Sequence, residues 1–351
     1  MDAGVLLIHF GEPPTPERTA VERYLERIFY QNADLESASS EEEARARSAE
    51  LAERRAPSLI EEYEEIGGSP LNHQAEQQAE NLERVLGARG HDTNVDVAFQ
   101  FFEPTIPDGI DAMRDAGIEH LIALPVYPLC GPSTTVAALE TVDETLAEMD
   151  WEPDVTQLSG WHRQPAYLRM RANHIQSYLH ASDIDLDDPE TVLLFSAHGT
   201  PISYIEGGSR YVTYVEETCD AIARLLGIET YELGYQNHEN RDIPWTSPDV
   251  DEVVEHLDAE RVVVEAMSFM HEQSETLAEL DDDLATVARS AGLDFHRVPI
   301  PHDDDAFPEL LADIVEAPLT GIEPALYQLR RCQCKPGENT YCLNAPPSPL
   351  E

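Results

Sequence analysis

Short apolar runs rich in Val, Ile and Leu alternate along this chain with longer stretches in which apolar residues recur every three or four positions. The first pattern predicts strands at 5–9, 95–99, 120–125, 191–196, 229–235, 261–266 and 295–298. The second predicts helices at 20–30, 58–65, 71–86, 107–116, 134–149, 165–178, 211–225, 250–256, 274–290 and 307–314. Near-continuous apolar strands separated by helices belong to parallel sheets covered on both faces. The series runs twice, once to about residue 160 and again from about 190. The expected fold is therefore α/β, with two doubly wound, Rossmann-like parallel-sheet domains facing a central cleft. Their expected extents are 1–160 and 161–317, with 318–351 as a cysteine-containing tail outside the second domain. The segment 36–50, with few core positions, reads as an exposed helix or loop. Ligands in such sheets bind beyond the carboxyl ends of the strands, so residues just after strands are the first candidates for chemistry.

Composition sharpens this picture. In 351 residues, 42% apolar content suffices for cores of this size. Charge is lopsided: 69 acidic residues face 22 basic ones, the net charge is −47, and Lys335 is the only lysine. Such a balance argues against a nucleic-acid partner. The carboxylates are spread through amphipathic segments such as Glu61-Glu62-Tyr63-Glu64-Glu65, which reads as a solvated acidic surface suited to high salt. No apolar run approaches the ~20 residues of a membrane span, and the chain opens straight into Val5-Leu6-Leu7-Ile8 without a basic leader. The expectation is a cytoplasmic protein. Five cysteines, an odd number, do not suggest a disulfide framework.

Two stretches carry candidate chemistry. Leu193-Leu194-Phe195-Ser196-Ala197-His198-Gly199-Thr200-Pro201 sets His198 directly after an apolar strand and before a Gly/Pro turn. The second follows the strand at 261–266 and runs from Ser268 to Asp283. With Ser274 as the cap of a helix, Glu275, Glu279 and Asp283 fall at i, i+4 and i+8 on one face. That face is either a row of oxygen ligands or a solvated surface, and the residues alone leave both open.

Leu194 to Gly199 resembles the strand-to-loop motif of ferrochelatases, and Phe269 to Asp281 resembles their segment ending in Glu-Thr-Leu, an acidic residue and Asp. Further matches come in family order. They are Leu6 to Gly11, Arg54-Arg55-Ala56-Pro57, Glu62-Tyr63 and Ile66-Gly67-Gly68-Ser69-Pro70-Leu71. Tyr127-Pro128 with Ser133-Thr134-Thr135, and Tyr235-Gln236 with Pro244-Trp245, complete the series, so the resemblance covers about residues 5 to 315. Several motifs in one order at compatible spacing make chance a poor explanation.

The resemblance implies insertion of ferrous iron, as substrate, into a porphyrin, with no nucleotide or redox cofactor. It implies that His198 binds iron or accepts a pyrrole proton, with Glu275 across the cleft and Glu279 and Asp283 as a path for metal or protons. Tyr63, Tyr127 and Trp245 match aromatic walls, with ordinary core packing as the alternative. Arg54 and Arg55 are the candidate cations for the porphyrin carboxylates, Arg55 matching a family arginine, unless they pair with nearby Glu residues; Ser69 is a further polar contact. Two departures stand out. Glu272-Gln273 replaces an Asp-His pair, so a relay through that histidine is absent or moved to His271, and Gln100-Phe101 replaces an Arg-Tyr pair. Cys332, Cys334 and Cys342, with Cys130 as fourth ligand, resemble the thiolates that hold a [2Fe-2S] centre in some members. Zinc or free thiols fit the same residues. Rival functions are a cobalt chelatase of corrin synthesis and a non-catalytic porphyrin or haem carrier. Protoporphyrin IX and coproporphyrin III both remain as substrates.

Overall fold

Alternate residues of the strand Ala3–His9 (β1) point to opposite faces, and both faces are apolar: Val5 and Leu7 enter one core, Leu6 and Ile8 another. A strand buried on both sides needs two layers of helix. The computed structural model describes residues 2–33, 40–237 and 243–343 and supplies those layers. After β1 come α1 (Arg18–Gln31), α2 (Glu41–Ile66), α3 (Leu71–Ala88), β2 (Asn94–Phe99), α4 (Ile106–Asp115), β3 (His120–Pro125), α5 (Ala137–Glu148) and β4 (Asp154–Ser159). Then follow α6 (Pro165–Ala181), β5 (Thr191–His198), α7 (Ile202–Glu206), α8 (Tyr211–Leu226), β6 (Glu232–Gln236), α9 (Val250–Glu255) and β7 (Arg261–Ala266). The described chain closes with α10 (Ser274–Leu277), α11 (Ala285–Ser290), β8 (Asp294–Val298), α12 (Ala306–Thr320), β9 (Arg330–Arg331) and β10 (Thr340–Cys342).

The first sheet runs β2-β1-β3-β4-β10-β9 and the second β6-β5-β7-β8. Strands β1 to β4, and all four strands of the second sheet, are parallel. This is the doubly wound α/β architecture, and the same winding order occurs twice. Connections leave in opposite directions between β1 and β3, and between β5 and β7, so a crevice opens at those two places. The strand at 154–159 escaped the sequence pattern because its first half is polar and half-exposed.

Helix α2 is longer than the expected 58–65. Ala44, Ser48, Leu51, Ala52, Ala56, Leu59 and Tyr63 lie along one face of it, against Val21, Tyr24, Leu25 and Phe29 of α1. Its charged first half hides this small-residue stripe, and the expected segment 36–50 is helix from 41 onward, with 36–39 outside the described residues.

Two expected boundaries do not match the packing. Phe307, Leu310, Leu311, Ile314 and Val315 of α12, placed in the second domain by the 161–317 reading, share a core with Val5, Leu7, Ile122 and Leu124 of the first sheet. Fully burying each such side chain contributes about 1.5–3 kcal/mol, so α12 is anchored there. Residues beyond 317 are not outside the fold either. Strand β10 pairs parallel with β4, and β9 pairs antiparallel with β10. Lys335 fastens this tail, donating to Asp143 Oδ2 at 2.5 Å and Gln157 Oε1 at 2.8 Å. Helix α6 serves both halves, with Tyr167 and Met170 in the first core and Ile175 and Leu179 in the second.

Candidate active site

Strand β5 ends at His198, at the crevice of the second sheet. The His198 backbone N–H donates to Ser268 Oγ at 2.9 Å, and the Tyr211 hydroxyl donates to the His198 carbonyl at 3.0 Å. Gly199 lies against the end of β6: its N–H donates to the Gln236 carbonyl at 2.6 Å, and a Cβ would sit 2.7 Å from that oxygen. Only glycine fits that approach. Nδ1 of His198 is 2.6 Å from the Gly199 carbonyl, which leaves Nε2 facing Glu275 Oε1 at 3.1 Å.

The expectation that Glu275 sits across the cleft from His198 is not met. Strands β5 and β7 are neighbours, so the segments leaving them arrive side by side and the two groups form a contact pair. The cap of α10 is Gln273, not Ser274: its side chain accepts from the N3 backbone, and Thr276 Oγ1 accepts from the Gln273 N–H at 2.9 Å. A regular helical ladder is also absent. Residues Glu279–Leu284 form a π-helical turn in which the N–H groups of Asp282 and Asp283 both donate to the Ala278 carbonyl at 3.1 Å. Gln236 Nε2 bridges the two acids, donating to the Glu275 carbonyl at 2.9 Å and to Glu279 Oε2 at 3.1 Å.

Charge follows from this packing. Burial pulls the His198 imidazole down, but Glu275 in contact, Glu279 nearby and the Gly199 carbonyl outweigh it, raising the pKa to about 9. At neutral pH the resting pair therefore holds a proton. Burial, reinforced by the Glu275 charge, raises Glu279 to about 8 against the opposing His198 and Gln236.

The cleft beside this pair is lined from the first domain by Phe10, Arg55 and Tyr127 and from the second by Trp245, Phe269 and Glu279. Arg55 is half-buried and paired with Glu62 at 2.7 Å, and the Tyr127 hydroxyl donates to Gln100 Oε1 at 2.6 Å. Four expected site residues lie elsewhere. Arg54 is exposed outside the lining, because it falls on the solvent side of α2. Tyr63, fully buried, belongs to the α1–α2 core. Ser69 is buried and donates to Glu12 Oε2 at 2.5 Å. Asp283 is exposed and lines a neighbouring pocket that it shares with Glu279, Arg55, Glu62, Asp249 and Asp251.

The five cysteines are free thiols. Cys332 is in hydrogen-bond contact with Cys130, Cys334 and Cys342, which donate to it and hold it far below the usual thiol range. Cys130, in turn, is pushed up by Cys332, Cys334 and burial. Among the described residues, no group of three or more His, Cys, Asp or Glu is spaced as a ready metal site.

Residues 2–319 match the ferrochelatase family model. The chain is 33% identical over 278 residues to the ferrochelatase of Nostoc punctiforme (strain ATCC 29133 / PCC 73102), covering 76% of this chain and 70% of that one. It is 32% identical over 336 residues to the ferrochelatase of Synechococcus sp. (strain JA-3-3Ab), covering 92% and 95%. The chain belongs to the ferrochelatase family. Its activity is that of a metal chelatase inserting ferrous iron into a porphyrin. Among solved structures, the sirohydrochlorin chelatase SirB from Bacillus subtilis subspecies spizizenii in complex with cobalt superposes with a TM-score of 0.50 at 12% identity. That match covers 91% of this chain and 97% of that one, and it shows a shared fold.

The departures from the ferrochelatase pattern have structural readings. Glu272 faces Arg297 at 3.0 Å and accepts from the Ile300 N–H at 2.8 Å, away from the cleft. Gln273 Nε2 donates to Glu275 Oε2 at 2.5 Å, so an amide that does not titrate replaces a ring that does. His271 bonds Gln78 Oε1 through Nε2 at 2.7 Å, and burial, with His9 and His302 nearby, pushes its pKa well down. Sequence reasoning missed His9 and Glu12. Both follow the apolar run of β1, and the strand-end rule that found His198 also points to them.

Proposed function

We propose that His198 and Glu275 form the reacting pair of iron insertion. Metallation breaks two pyrrole N–H bonds, each leaving its electron pair on nitrogen for iron and releasing a proton. An imidazole nitrogen and a carboxylate oxygen in contact hold one proton or one ferrous ion at a time. The pair therefore passes its resting proton to solvent before it takes iron or each pyrrole proton in turn, and a mixed nitrogen and oxygen donor set binds iron loosely enough to release it. Glu279 continues the row of oxygens towards Asp283 and the neighbouring pocket, a route for ions or protons between solvent and pair. Arg55, Tyr127 and Trp245 contact the macrocycle. The 3.1 Å pair at the strand crevice, opening on an aromatic-lined cleft, carries this reading. The test is anaerobic iron insertion in molar potassium chloride with protoporphyrin IX and coproporphyrin III side by side and His198→Ala as control. Turnover that vanishes in the variant supports the pair and names the porphyrin; turnover that persists removes His198 from the chemistry.

The net charge of −47 supports a protein working in the cytoplasm of a high-salt cell, and none of the described helices is long and apolar enough to cross a membrane. Screening of the acidic surface then raises the melting temperature between low and molar potassium chloride. The four converging thiols support a [2Fe-2S] centre held by Cys130, Cys332, Cys334 and Cys342. Iron and acid-labile sulphide in anaerobically purified protein decide between that centre, zinc and free thiols.

A further inference from the structure

Glu12 is a carboxylate of the first domain that is 2% exposed and sits at the seam with the second. Its own backbone is pinned: Glu12 N–H donates to Asn72 Oδ1 at 3.0 Å, and Asn72 Nδ2 donates back to the Glu12 carbonyl at 2.8 Å. Gly11 before it takes φ +80, and a Cβ there would lie 2.5 Å from Phe99 Cβ, so the turn that aims Glu12 requires glycine. The carboxylate collects donors from both domains. Ser69 Oγ donates to Oε2 and Ser274 Oγ to Oε1, each at 2.5 Å, and the Ser274 N–H donates to Oε2 at 3.2 Å. Ser274 is the residue before Glu275.

The same segment is gripped from α3. Gln78 Nε2 donates to the Met270 carbonyl at 3.0 Å, and the Glu272 N–H donates to Gln74 Oε1 at 2.9 Å. Residues 270–274 are thus tied to the first domain as well as to Arg297 and Ile300 through Glu272, while His198 takes its position from the second sheet. Burial, with the Glu275 charge, raises the Glu12 pKa against the opposing hydrogen bonds from Ser274 and Ser69, so the contact is held by the geometry of these donors around one buried carboxyl group.

We propose that Glu12 is a positioning residue for iron insertion: a buried carboxylate of the first domain that fixes Ser274, and through it holds Glu275 in contact with His198. The proposal rests on the reading of Glu275 as half of the reacting pair. Glu12→Gln keeps the shape but turns one end of the carboxylate into an amide, setting a donor against the Ser274 or Ser69 donors. Displacement of a reacting group on the scale of an ångström costs up to ~100-fold.

The test is a double-mutant cycle of Glu12→Gln and Glu275→Gln, measured as ferrous iron insertion in molar potassium chloride with thermal melts alongside. Glu12→Gln should lower kcat roughly 10- to 100-fold while the KM for porphyrin stays within about twofold, since Glu12 lies outside the cleft lining. In the Glu275→Gln background it should cost less than about twofold, because the group it positions is gone. Multiplicative losses overturn the positioning role and leave Glu275 in place. A Glu275→Gln variant with wild-type turnover overturns both readings, and that is visible in the single variant. Should Glu12→Gln fail to fold, Ser274→Ala removes one donor from the same contact. It should lower kcat roughly fivefold in the wild-type background and leave the Glu275→Gln background unmoved.

Discussion

Strands β1 and β5 hold the same place in two sheets of the same winding order, and each ends in a histidine, His9 in one and His198 in the other. The two rings are in opposite states. His198 meets Glu275 at 3.1 Å, and its pKa is raised to about 9. His9 is 1% exposed, and neither ring nitrogen has a hydrogen-bond partner among the described residues. It packs edge-on against His271 with ring centroids 4.8 Å apart, and burial lowers its pKa to about 3. Topology puts a histidine at each crevice, and the segment after β7 reaches both: its Glu275 meets His198 and outweighs burial, whereas its His271 packs on His9 and leaves burial to hold that ring neutral.

The largest effect that tests this contrast is on turnover. If His198 has its proposed role, its removal should cost what loss of a group that handles reacting protons costs, so His198→Ala should lower kcat roughly 100- to 10,000-fold while the protein stays folded. His9→Asn should cost less than about tenfold, because a ring held neutral by burial neither binds nor releases a proton near pH 7. Parallel kcat measurements decide the matter, and equal losses at the two positions would dissolve the distinction between them.

Next comes acid stability, where the two rings have opposite signs. His9 has a folded pKa below its unfolded value of about 6.5, so the unfolded chain takes up the proton first. Its contribution is complete above pH 6.5 and is lost as pH falls towards 3, amounting to about 2 kcal/mol by pH 5. His271 slopes the same way. His198 has a raised folded pKa, so its contribution is complete below pH 6.5 and is lost as pH rises through about 9. Denaturant melts of wild type and His9→Leu between pH 5 and 7.5 should show a smaller acid loss in the variant. An unchanged slope would mean that His9 is protonated in the folded protein.

Much of this was legible beforehand, and what was not has a physical reason. Seven apolar strands and the strand-end position of His198 follow from hydrophobic runs, which register burial on both faces. Tyr63 and Tyr127 look alike in sequence as aromatic residues in matching motifs. One fills the α1–α2 core and the other faces the cleft, because their surroundings come from elements far away along the chain. Strand β10 is too short and too polar to register as a strand, and it exists because β4 offers an edge and Lys335 a clamp. The strand-end rule points to Glu12, but among 69 acids only the fold shows that it is buried and that it meets Ser274.

The smallest effect concerns what the first sheet contributes if its histidine does not react. Tyr127 leaves β3 at the crevice beside β1, faces the cleft, and donates its hydroxyl to Gln100 Oε1 at 2.6 Å. Gln100 Nε2 in turn donates to Gln31 Oε1 at 3.2 Å and to the Ser133 carbonyl at 3.3 Å, so the phenol is held in a chain of neutral hydrogen bonds. Such a chain orients a wall and supplies no charge to the reaction. Tyr127→Phe keeps the ring and removes one hydrogen bond worth about 1 kcal/mol. The KM for porphyrin should rise roughly fivefold with kcat within about twofold, the pattern of lost uniform binding. A fall in kcat with KM unchanged would instead give the first sheet a share in the transition state, and the division between a binding sheet and a reacting sheet would have to be redrawn.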